Sequence, residues 1–202
     1  MTVIQMPDPR LRPRLFLSTH AQFLSDKQLL LLLRACESDP SRRDLFEVAS
    51  VITNTGIRPQ DLERLRWNDV NFIRRRMVLK TLRHGWPRYV AFGQHTMQLL
   101  ISRRERRAGS DYVLGNSMWK TQFAVRSQLQ VACRTLGVEG ANLRVLRWTF
   151  MKRWLDAGLC THSLARILGH RSYFEVGEDG LGPEERFEID SRLQQLLEGG
   201  NG

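Results

Sequence analysis

Three kinds of feature are scarce in this chain: cysteine, long apolar runs and tyrosine. Its 202 residues hold three cysteines, Cys36, Cys133 and Cys160, widely spaced and without a CxxC pair. Neither a disulfide framework nor a zinc site is indicated, so a reducing cytoplasm is the expected compartment. No apolar run approaches the roughly 20 residues that a membrane-spanning helix needs. The longest leucine run, Leu29 to Leu33, is far too short to span and reads as buried helix. The N-terminus lacks the apolar stretch of a secretory signal. No repeat, low-complexity tract, cofactor motif or metal-ligand set stands out. Tyrosine occurs only at Tyr89, Tyr112 and Tyr173.

Positive charge, by contrast, is abundant. The formal net charge is +10, and it is unevenly distributed. Residues 175–202 contain eight acids and two arginines, a balance of −6, which leaves +16 on residues 1–174. A body this basic implies a polyanionic partner, most simply nucleic acid. The plainer alternative is a soluble basic surface with no specific partner.

The chain divides into three stretches. Residues 1–24 interleave Pro7, Pro9 and Pro13 with Arg10, Arg12 and Arg14, which reads as an extended basic arm. Residues 25–174 form the body, and residues 175–202 an acidic loop followed by a helix over about 184–197. Within the body, Ser25 is placed to cap a helix, with Asp26 favourable in its first turn. Leu45, Val48, Ala49 and Ile52 share one face of a helix over Asp44 to Asn54. Residues 77–80 and 88–92 read as strands joined by a turn at His84-Gly85-Trp86-Pro87. Tyr89 in the second strand and Tyr112 in an apolar segment read as packing residues. Helices fit residues 94–107, 119–136, 143–157 and 161–168. The expected fold is mainly α with one small antiparallel β-sheet.

The densest signal is Thr55-Gly56-Ile57-Arg58-Pro59-Gln60-Asp61-Leu62-Glu63-Arg64-Leu65-Arg66-Trp67-Asn68-Asp69-Val70. It predicts a tight turn at Gly56, Arg58 at the mouth of a helix, and Pro59 at the first helical position, where its missing N–H costs nothing. Leu62, Leu65 and Trp67 reach the core. Arg58, joined by the exposed helix amides, makes a site for a phosphate.

This segment resembles the first catalytic-arginine motif of the tyrosine recombinase (phage integrase) family, in its Thr-Gly-x-Arg turn, its acid three residues on (Asp61) and its Leu-x-Trp-x-Asp-Val ending. Further stretches fit the same family. Lys80-Thr81 matches its Lys-Thr turn, whose lysine reaches the DNA minor groove and can protonate the leaving 5′ hydroxyl. Arg147-Trp148-Thr149-Phe150 followed by Trp154-Leu155-Asp156-Ala157-Gly158 resembles the second-arginine helix, and Leu168-Gly169-His170 matches the Leu-Gly-His that ends the next helix. In the family's His-x-x-Arg box the histidine position falls here on Arg144, which keeps a donor but removes a group that titrates near neutral pH. The resemblance covers roughly residues 25–172, the family's catalytic domain, without the helical domain that usually precedes it. It implies duplex DNA as partner, other recombinase protomers as companions, and a metal-free site. Arg58 and Arg147 would clamp the phosphate oxygens there, with Arg144, His170 and Lys80 around them.

The resemblance fails at the nucleophile. The family's tyrosine lies about nine residues after Leu-Gly-His, where this chain has Asp179. Tyr173 follows His170 too closely and is a weak candidate. An insertion within Glu175–Arg186 would shift the register to Phe187, which has no hydroxyl to attack phosphorus. The reading is therefore a duplex-DNA-binding relative of the recombinases, degenerate as an enzyme and acting as partner or regulator in recombination, integration or transposition. One alternative is an active strand transferase with a displaced, partner-supplied or replaced tyrosine. Another is a protein-interaction module that docks onto a recombinase.

Overall fold

The computed structural model describes residues 23–80, 87–114, 118–138 and 140–158, together with Leu164 and Leu168. Residues 1–22 of the N-terminal arm, the turn at His84-Gly85-Trp86, the helix over about 184–197 and most of residues 161–168 lie outside them. The described residues are mostly helical, with one three-stranded antiparallel sheet in the order β1-β2-β3.

Helix α1, Asp26–Glu37, begins at a capping box in which Ser25 Oγ accepts from the Gln28 amide and Gln28 Oε1 accepts from the Ser25 amide. Two amides that the helix leaves without partners are thereby satisfied. The leucine run is not buried throughout. Leu29, Leu32 and Cys36 face the core, while Leu30 and Leu31 are 49% and 47% exposed. A helix packed on one side can bury only the positions three and four apart, so consecutive leucines cannot all turn inward.

Helix α2, Arg43–Thr55, lies at the centre, packed against α1 and three later helices: α4, Gln94–Arg106; α5, Met118–Leu136; and α6, Leu143–Asp156. Nine of its thirteen residues are buried, as expected of a helix with neighbours on every side. The short helix α3, Pro59–Arg64, follows, and then the sheet: β1, Val70–Asn71; β2, Arg76–Lys80; β3, Pro87–Ala91. Strand β1 is an addition to the two strands read from sequence. At two residues it is too short to show a period. Met77, Leu79 and Val90 face the core. Leu65 and Trp67 are tied to the segment after α4, since Val113 N donates to Leu65 O and Trp67 N donates to Asp111 O. No helix of the described residues is long and apolar enough to cross a membrane.

The two described tyrosines do not behave as simple packing residues. Tyr89 is half exposed on the outer face of the sheet, with the Arg76 guanidinium 4.7 Å above its ring. Arg66 lies 4.8 Å over Tyr112 and donates to its hydroxyl at 3.0 Å. Both rings serve as platforms for surface arginines.

A buried ionic knot locks α4 onto α2. Arg103 donates to Asp44 at 2.8 Å, to Glu47 at 2.5 Å, and to the carbonyls of Val113 and Leu114 at 2.6 and 3.2 Å. Arg106 also pairs with Glu47. Burial raises the pKa of Asp44, but the Arg103 hydrogen bond and the charges of Arg103, Arg107 and Arg106 outweigh it and hold it below the usual value. Breaking a buried pair strands the remaining charge, so Arg103→Gln is expected to cost about 3 kcal/mol in denaturant unfolding. The Asp44 contribution is present above the unfolded carboxylate pKa of about 3.9 and is lost as pH falls through the lower folded value. Wild-type stability should therefore fall on acidification below about pH 4, and less steeply in Arg103→Gln.

Candidate phosphate-binding site

The site begins at the end of α2. Gly56 adopts φ 64° and caps the helix, its amide donating to Ile52 O. That left-handed conformation favours glycine, and space demands it too. A Cβ at this position would lie 2.5 Å from the Phe150 ring and 3.1 Å from Leu168. The chain then turns through Ile57, fully buried, to Arg58.

Arg58 is the N-cap residue of α3 in extended conformation, with Pro59 starting the helix. Because α3 has six residues, few aligned peptides stand behind its N-terminus. The helix amides therefore add little to a candidate anion site, which rests on the arginines.

Arg147 comes from the middle of α6, whose start is capped by Asn142 accepting from the amides of Arg144 and Val145. Its Nε donates to Gly56 O at 2.8 Å and its Nη2 to Leu168 O at 3.0 Å. The guanidinium thus bolts the Gly56 turn to the residue that precedes Gly169-His170. Phe150, Met151, Trp154, Leu164 and Leu168 form a small apolar cluster beneath it. Burial first, then the positive charges of Arg58 and Arg88, presses the Arg147 pKa down to about 9, with Asp61 acting in the opposite sense. The group is still a cation at neutral pH. Arg58, Arg88 and Arg147 therefore concentrate positive charge in one place, where an anion would be favoured.

Arg88 was not picked out as a site residue from sequence. It lies on β3 opposite Leu79, is 5% exposed, and donates from Nη2 to Asp61 Oδ2 at 2.8 Å. Burial lowers its pKa to about 10, against the pull of Asp61. A signal was present: in a strand of period two, Val90 and Phe92 inside put Arg88 inside as well. Asp61, noted only as a letter of the motif, proves to be the counter-charge.

The remaining candidates divide. Lys80 ends β2 with its side chain 76% exposed, and its Nζ pairs with Asp69 at 2.8 Å. Arg144 is exposed in the first turn of α6, one turn before Arg147. His170, Tyr173 and Phe187 lie outside the described residues. The structure thus draws Arg58, Arg88, Arg147 and Asp61 into one charged group, with Lys80 held by Asp69 and Arg144 exposed.

This is the fold of the tyrosine recombinase catalytic domain. The sequence model of the phage integrase family matches residues 22–177, and the chain belongs to that family. Among solved structures it is similar to the XerA recombinase, with 21% identity and a TM-score of 0.63 over 85% of this chain and 64% of that one. It is similar to the Tn1549 transposon integrase in complex with circular intermediate DNA, with 16% identity and a TM-score of 0.63 over 84% and 64% of the two chains. A lambda integrase tetramer bound to a Holliday junction gives 17% and 0.57, over 78% and 49%. The chain thus spans about two thirds or less of the length of these structures. No curated protein matches it closely in sequence.

The Gly56 turn gives a direct test. Gly56→Ala forces a left-handed alanine and a clash with Phe150, and strain plus overpacking is expected to cost on the order of 3 kcal/mol. Thermal unfolding checks this; an unchanged melting temperature would contradict the described packing.

Proposed function

We propose that this chain binds duplex DNA through its arginine cluster and acts as a non-cleaving partner or regulator in DNA recombination, integration or transposition. The observation that carries the reading is the anchoring of Arg147 on the Gly56 carbonyl, 91 positions away in sequence, beside Arg58. Two half-buried guanidinium groups in an electropositive setting suit the non-bridging oxygens of a phosphodiester. Arg144 and His170 would add donors, and Lys80, freed from Asp69 by a competing phosphate, would track the backbone. The basic body supports the same partner, and relatives of this fold have been solved on DNA. A DNA-binding chain with no disulfide framework in its sequence is assigned to the cytoplasm.

Phosphoryl transfer by this family passes through a covalent phosphotyrosine, and the position about nine residues after Leu168-Gly169-His170 is Asp179, which supports binding without cleavage. The second reading, an active strand transferase using Tyr173, a partner's tyrosine or a tyrosine replaced at Phe187, draws support from the arginine pair itself. That pair would stabilise a five-coordinate phosphorus as well as hold a phosphate.

Two outcomes are expected. Binding to duplex DNA weakens with salt, log affinity falling against log salt with a slope of about 0.9 per phosphate neutralised. Fluorescence anisotropy across a salt series measures it, and salt-independent binding contradicts the reading. With a set of nicked suicide duplexes, no covalent adduct forms. An adduct abolished by Tyr173→Phe would make the protein an active recombinase.

A further inference from the structure

The least expected group in the site is Arg88. Its neighbours on the inner face of the sheet are Met77, Leu79 and Val90, all buried apolar residues. A buried ion pair is commonly no better for stability than apolar side chains of similar volume. Packing alone therefore gives no reason for an arginine at this position. Its geometry suggests another reason. Arg88 meets Asp61 at 2.8 Å, and Asp61 lies in the first turn of α3, its amide donating to the carbonyl of Arg58. The carboxylate is thus fixed three residues from Arg58 and within electrostatic reach of Arg147. A carboxylate so placed is a tethered competitor for whatever anion those arginines receive.

We propose that Arg88 is a positioning residue of the phosphate site: by engaging Asp61, it keeps that carboxylate from capturing Arg58 and Arg147. This rests on the phosphate-binding reading above. Losing Arg88 alone removes one positive charge and frees the competitor. Losing Asp61 alone removes one negative charge and the competitor with it. Losing both leaves the net charge of the cluster unchanged and removes the competitor.

The order of affinities for a duplex oligonucleotide at fixed salt follows. Arg88→Gln should bind about tenfold more weakly than wild type, the usual scale for stranding one charge of a close pair. Asp61→Asn should bind at least as tightly as wild type. The double variant Asp61→Asn/Arg88→Gln should recover most of the lost affinity, although it has lost the same strand side chain. A merely structural role for Arg88 predicts the opposite, with the double variant as weak as Arg88→Gln or weaker. Melting temperatures in sodium sulfate against sodium chloride, at matched ionic strength, give a second readout. Sulfate should stabilise Asp61→Asn more than wild type and Arg88→Gln least. Should Arg88→Gln fail to fold, Asp61→Asn decides the matter, since weakened DNA binding and a reduced sulfate response there overturn the proposal. Wild-type protein that binds neither DNA nor sulfate overturns the DNA-binding reading as well. Wild-type binding with no recovery in the double variant overturns only the role given to Arg88.

Discussion

The hydrogen bond from Arg147 Nε to the Gly56 carbonyl organises this molecule. It joins the end of the central helix α2 to α6 and, through Nη2 and Leu168, to the segment leading towards His170. Arg58 sits where it does because Gly56 turns the chain in the one conformation and the one space available between Phe150 and Leu168. A change at Gly56, Phe150 or Leu168 therefore reaches the site even though none of them carries charge.

The cost of this arrangement is electrostatic. Burial and mutual repulsion disfavour a charged Arg88 and a charged Arg147, and one carboxylate, Asp61, compensates in part. The contrast with the other buried arginine is instructive. Arg103 is matched by Asp44, Glu47 and two carbonyls, so its charge is internally satisfied and its role is to hold α4 on α2. The Arg58–Arg88–Arg147 group instead gathers three guanidinium groups beside Asp61, a setting that attracts an anion.

Much of the fold was legible in the sequence because its signals are local. The Ser25 cap, the apolar face of α2 and the Gly56-to-Val70 motif fix backbone conformation within a few residues, and α4, α5 and α6 fall within a residue or so of their expected ends. What escaped was set by tertiary packing. The exposure of Leu30 and Leu31 depends on how many neighbours α1 has, and β1 exists only by pairing with β2. Arg88 escaped because a charged residue in a strand is usually read as solvated, although the alternation with Val90 and Phe92 pointed inward. The arginine motifs were readable as a resemblance. Their convergence depends on a contact between Gly56 and Arg147 that no local pattern encodes.

The central claim is that Arg58 and Arg147 together hold a phosphate. Crystals soaked in tungstate, a heavy tetrahedral analogue, test it most directly through anomalous scattering. The account predicts a peak within hydrogen-bonding distance, about 3 Å, of both guanidinium groups. Tungstate bound elsewhere, with Arg58 and Arg147 directed to different faces of the molecule, would contradict it.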